Sequence, residues 1–239
     1  MSSDHIELLS ARMAAVTEAT NDLLDTVDSL DDAALAAPCL LPGWTRGHLL
    51  THLARNADSL VNLLLWAHTG VETPQYASRS LRDADIELGA PRPVHEQRAD
   101  LVETANRLHG MAGVLTAEQW QAEVRTGQGT VIAASEVPWR RLQELRIHHA
   151  DLDAGYLPRH WPPEFVAELL DEVVGDLSGR VGAESFEIRA EDTGFTATVG
   201  AAASGRTIAA PAAALLAWLL GRDPGPNLRQ PLPELPAWR

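Results

Sequence analysis

Hydrophobic positions recur at helical spacing through the first two thirds of this 239-residue chain. From His5 to Leu30 the apolar positions Ile6, Leu9, Met13, Val16, Leu23, Leu24 and Val27 keep close to that period, which predicts a long amphipathic helix. Pro38-Cys39-Leu40-Leu41-Pro42-Gly43-Trp44 then breaks the pattern with two prolines and a glycine. Thr45 suits the N-cap of a second helix running to His68, with Gly70 as its stop. A short helix is expected over Ser80 to Leu88, and a longer one after Pro93 to Leu115. Gln128 to Ala133 reads as irregular chain or a short strand. Ser135 is expected to cap a helix from Glu136 to about Ala154, with Pro138 in the first turn, where a missing N–H costs nothing. Four long helices joined by polar connections predict an antiparallel four-helix bundle over residues 1–157.

The pattern changes after the proline-rich linker Gly155 to Pro163. Glu164 to Leu177 is amphipathic, Ser185 to Ala190 and Gly194 to Val199 alternate with period two, and Glu191 to Gly194 makes the turn between them. Arg206 to Ala209 adds a third candidate strand, and Pro211 opens an apolar helix to Leu220, stopped by Gly221. Residues 158–239 therefore read as a small α+β domain with an antiparallel sheet and a proline-rich tail extended over the surface from Asp223.

Charge narrows the function classes. The formal net charge is -14, so neither nucleic acid nor an anionic membrane is an expected partner. No stretch has the roughly 18 consecutive apolar residues of a membrane span. Met1 to Glu7 is polar and acidic, unlike a secretory leader, and a single Cys39 forms no intrachain disulfide; both fit a reducing cytoplasm. All 19 basic residues are arginine, a bias that reflects a GC-rich genome rather than a site.

The residues able to do chemistry sit on two of the predicted helices. His48 and His52 are four apart, as are Glu144 and His148, so each pair shares a helix face. His52 borders the apolar arc of its helix, whereas His48 lies farther round. Two imidazoles and one carboxylate suit zinc or a neighbouring ion and leave a coordination position open. An open position can bind a thiol and lower its pKa. Asp151, three residues after His148, is placed to orient that ring. The spacing equally allows a plainer arrangement, with His52 and His148 at the edge of the core and Glu144 paired to Arg140, Arg141 or Arg146. His149 falls on another face and reads as a surface histidine. Cys39, in an apolar loop without a basic neighbour, reads as structural. Gly127-Gln128-Gly129-Thr130 lacks the spacing and lysine of a phosphate loop.

A longer pattern surrounds these positions. Leu41-Pro42-Gly43-Trp44-Thr45-Arg46-Gly47-His48-Leu49-Leu50-Thr51-His52 resembles the start of the second helix in DinB-like metal-binding bundles. Asn56-Ala57, the run Trp66 to Tyr76, Thr126 to Glu136, Glu144 to Leu152 and Gly221-Arg222 are similar to the mycothiol-dependent maleylpyruvate isomerases. The resemblance implies that His52, Glu144 and His148 hold a divalent metal, usually zinc, and that Arg222 reaches the active site from the C-terminal domain. It implies a cytoplasmic enzyme that isomerises maleylpyruvate to fumarylpyruvate in gentisate-type aromatic breakdown. Mycothiol thiolate would add to the alkene, allow rotation and leave. The expected partners are a small dicarboxylate and a low-molecular-weight thiol, with a monomer plausible. A mycothiol S-transferase acting on other electrophiles, or a non-enzymatic metal-binding or sensor module, are the competing expectations. A purely structural zinc would want four protein ligands.

Overall fold

The computed structural model describes residues 3–180, 185–200, 205–223, 232–236 and 238. The chain divides into two compact units, Met1–Tyr156 and Leu157–Arg239.

The first unit is built on α1 (Ser3–Asp28), α2 (Asp32–Ala36), α3 (Arg46–Thr69), α4 (Arg79–Gly89), α5 (Val94–Val114) and α6 (Val137–Asp151). Helix α3 begins and ends where its capping residues dictate. Thr45 Oγ1 accepts from the His48 N–H, and Gly70 takes a left-handed φ of 71° that a side chain would resist. One face of α3 is the unit's core: Leu49, Leu50, Leu53, Ala54, Ala57, Leu63 and Leu64 are fully buried. Helices α1 and α3 each pack on both α5 and α6, so the four long helices close a ring of contacts. The far end of α3 is covered by a short antiparallel ribbon, β1 (Glu123–Arg125) and β2 (Val131–Ala133), which seats Val124 and Ile132 beside Leu60, Leu64 and Trp120. The short helix α2 and strand β1 are additions to the sequence reading. The turn before α6 is a 3₁₀ segment, Ala134–Glu136, and Ser135 does not cap it.

Two polar devices, one buried and one part-buried, fix α4 and α6 against α3. The Gln97 amide donates to Gly89 O (2.9 Å) and Gly47 O (3.2 Å) and accepts from Thr51 Oγ1 (3.1 Å), tying α5, α4 and α3 together. At Gly47 the backbones approach so closely that an added Cβ would lie 2.2 Å from Ala90 O. Arg46, the first residue of α3, donates to Leu152 O (2.8 Å) and Asp153 O (2.6 Å), satisfying carbonyls at the end of α6. The Pro38–Thr45 loop joins the same junction through Leu40 N–H to Asp151 O, 2.8 Å.

The second unit holds α7 (Pro163–Ser178), β3 (Phe186–Ala190), β4 (Thr196–Val199), β5 (Thr207–Ala210) and α8 (Ala212–Leu219). Phe186, Ile188 and Ala190 face one side of β3, where Phe186 meets Trp218 of α8 with ring centroids 5.5 Å apart. The sheet order is β4-β3-β5, with β4 antiparallel and β5 parallel to β3. The expected antiparallel sheet is therefore a mixed one. Having reversed at Gly194, the chain reverses again after β4; its third strand joins the far side of β3 rather than the free side of β4, and so runs in the direction of β3. Most of the proline-rich tail lies outside the described residues.

Candidate metal centre

The capped start of α3 and the end of α6, held together by Arg46, bring His52 opposite Glu144 and His148. His52 Nε2 lies 3.1 Å from Glu144 Oε2, and His148 Nε2 lies 3.3 Å from the same oxygen. The two imidazoles meet edge to face with centroids 5.0 Å apart. One ligand atom from each residue falls within 4.8 Å of the other two. Ligand atoms about 2.0–2.1 Å from a tetrahedral ion lie roughly 3.3 Å from each other, so the two carboxylate–imidazole spacings fit a shared ion. Among the described residues, the hydrogen-bond partners of Glu144 are these two histidines and none of the three arginines on α6.

The surroundings favour ligand chemistry. His148 Nδ1 donates to Asp151 Oδ2 at 2.8 Å, leaving Nε2 directed at Glu144. Burial opposes charge on Glu144, yet hydrogen bonds from His148 and His52 hold its carboxyl well below the usual carboxylate range. Burial also works against a cation at His148, but Asp151 and Glu144 push this imidazole up to about 9. Burial lowers His52, in spite of Glu144. The group is thus an ionised carboxylate paired with a protonated His148, and an ion bound there would take over that positive charge as His148 gives up its Nε2 proton. Trp44 covers one flank of His52, with ring centroids 5.5 Å apart. On another flank Arg82 Nη2 lies 3.1 Å from His52 Nδ1.

The other sequence candidates separate from this group. His48 turns to Glu87 (3.3 Å) and the Thr45 cap. His149 is buried, not at the surface: it stacks on Tyr156 at 3.8 Å and its Nε2 pairs with Thr26 Oγ1 at 2.7 Å. The face of α6 opposite the triad is covered by α1, which the helical wheel of α6 alone does not reveal. Cys39 is part-buried, and burial raises its thiol pKa. Arg222 belongs to the second unit. Gly221 turns the chain with φ 70°, Arg222 N–H closes on Ala217 O (2.8 Å), and the guanidinium donates to Leu220 O (3.2 Å) beside a hollow of about 460 Å³ that Trp218 and Asp223 also line. Sequence reasoning gave no role to Arg46 or Arg82, and considered Arg141 only as an ion-pair partner of Glu144. Only Arg141 carried a signal, three residues before Glu144 on its face of α6.

The model of the mycothiol maleylpyruvate isomerase N-terminal domain matches residues 16–153, which include all three residues of the triad. The chain belongs to that family. It is an enzyme family: a crystal structure of the mycothiol-dependent maleylpyruvate isomerase is 28% identical, covers 100% of both chains and superposes with a TM-score of 0.88. The H52A mutant of the mycothiol-dependent maleylpyruvate isomerase is 27% identical over the same full coverage, with a TM-score of 0.87. No curated protein matches. The family match covers the helical unit, and the structural likeness spans the α+β unit as well.

Proposed function

We propose that this chain is a metal- and mycothiol-dependent isomerase that converts maleylpyruvate to fumarylpyruvate, a step of gentisate-type aromatic breakdown. The observation that carries the reading is the convergence of His52, Glu144 and His148, with Asp151 behind His148, in a member of this family. His52, Glu144 and His148 are the residues that would hold the ion, with zinc the best match to a donor set of two nitrogens and one oxygen. The bound ion supplies a Lewis acid that keeps a small-molecule thiol ionised at neutral pH.

The chain's own residues account for the rest. Rotation about a carbon–carbon double bond needs a nucleophile that adds and then leaves. Cys39 is poorly suited to that task, because burial raises its thiol pKa and so reduces the thiolate. An external thiol is the better-suited nucleophile. Asp151 keeps the His148 proton on Nδ1, and Trp44 shields His52 from water. Arg222 is proposed to anchor a carboxylate of the substrate, a task for which a planar guanidinium is well shaped.

The test is turnover of maleylpyruvate by the metal-loaded protein with and without mycothiol. Isomerisation only with the thiol supports the reading. Equal activity without any thiol would overturn it.

A further inference from the structure

Helices α3 and α6 run antiparallel at the triad, because stepping forward on α3 means stepping back on α6. His52 faces Glu144, and one turn farther along α3 Asn56 faces Arg141. Arg141 is only 1% exposed, yet it makes no ion pair among the described residues. Its hydrogen bonds both leave from Nη1 and both end on neutral oxygens, Leu53 O (2.8 Å) and Asn56 Oδ1 (2.9 Å). A buried guanidinium without a carboxylate is costly, and such a group is ordinarily paired. Burial lowers it to about 10, so it is still cationic at neutral pH, and the charge of Glu144 reaches it.

A second cation borders the same layer. Arg82 of α4 lies over the Tyr76 ring (5.7 Å) with Nη2 3.1 Å from His52 Nδ1. Its carboxylate partner is the exposed neighbour Asp83, a pairing that water largely screens. The loop carrying Tyr76 is held on α3 by Gln75, which donates to Ser59 Oγ (3.1 Å) while its carbonyl accepts from Asn62 Nδ2 (3.3 Å). Tyr76 is in turn close enough for its phenol to act electrostatically on Arg141. A His52 that gives its Nε2 lone pair to an ion carries its proton on Nδ1. Two N–H donors do not bond, so with an ion on His52 Nε2 the Arg82 guanidinium would be free to meet an anion that shares the site.

We propose that Arg141 and Arg82 form an anion-binding subsite one helical turn from the triad, which takes a carboxylate of the substrate. The inference rests on the isomerase reading for the identity of that substrate as a dicarboxylate. The uncharged sugar portion of a thiol cofactor gives two guanidinium groups nothing to neutralise, which favours the dicarboxylate as occupant. A carboxylate there would complete the charge balance of Arg141 and be held away from the thiol position.

The probe is maleate, titrated calorimetrically into metal-loaded protein without thiol, alongside R82Q, R141M and the surface control R125Q. Maleate affinity should fall at least tenfold in R82Q and in R141M and stay within twofold in R125Q. In steady state, R82Q should raise KM for maleylpyruvate more than it lowers kcat, with metal content unchanged. Wild-type maleate affinity in R82Q and R141M would overturn the subsite, as would an equal loss in R125Q. Loss of metal or of cooperative unfolding in R141M would make Arg141 structural and overturn its part, leaving R82Q to decide the other. If variants lose maleate but the wild type never isomerises maleylpyruvate, the subsite stands and the isomerase reading fails.

Discussion

His148 and Asp151 form a hydrogen bond of 2.8 Å one turn apart on α6, and this bond determines which nitrogen of the ring faces Glu144. Asp151 is fully buried and has little freedom to let the ring rotate. Asp151→Ala should therefore keep the fold and weaken metal binding by about 10- to 100-fold, the usual effect of losing such a support. Competition against a chromogenic chelator measures it. Unchanged affinity would show that Asp151 does not orient the ring.

The ligands themselves should behave as an all-or-none set. Purified protein is expected to carry about one metal per chain, and His52→Ala, Glu144→Gln or His148→Ala should each remove it. Elemental analysis after gel filtration reads the result directly. A full complement of metal in His52→Ala would end the assignment.

Arg222→Ala should retain the metal and lose at least about tenfold in kcat/KM, since one well-made charged hydrogen bond is worth about 1.5–3 kcal/mol. Parallel metal analysis and kinetics check both halves. A variant that loses metal would place Arg222 in a structural role instead.

Cys39→Ser should leave turnover within twofold of wild type. Because burial raises the thiol pKa, alkylation of Cys39 at pH 7 should also be slower than that of a free cysteine, and should accelerate as pH rises. Fast labelling coupled to inactivation would restore Cys39 as the nucleophile.

Gly47→Ala tests the seat of α4. The added methyl would collide with Ala90 O, so the helices must part at a cost of about 1–3 kcal/mol. Thermal melting should register the loss. Kinetics should register a raised KM for maleylpyruvate too, because Arg82 rides on α4.

How much of this was legible beforehand depended on whether the information was local. Thr45 and Gly70 bound α3 through capping chemistry that the sequence displays, and Pro93 marks the start of α5 by its fixed backbone, without a side-chain cap. His52 at the edge of an apolar arc is also local information, and it is buried as that arc implies. What stayed hidden came from distant segments. The burial of His149 depends on α1 lying across α6, and the parallel pairing of β5 depends on which free edge a later strand joins. Arg46, Arg82 and Arg141 look like ordinary surface arginines until α4 and α6 are placed beside α3. Their partners are mainly backbone carbonyls, an amide and a ring, which no charge pattern announces.

The pairing of His52 with Glu144 spans 92 residues of chain. An ion gripping both would act as a staple between the first and last thirds of the helical unit, closing a long loop that the unfolded chain otherwise leaves open. The resistance of this unit to heat then varies with free ion concentration, gaining about 2.7 kcal/mol when the ion stands at 100 times its dissociation constant. Chelators would loosen the whole helical scaffold along with its chemistry.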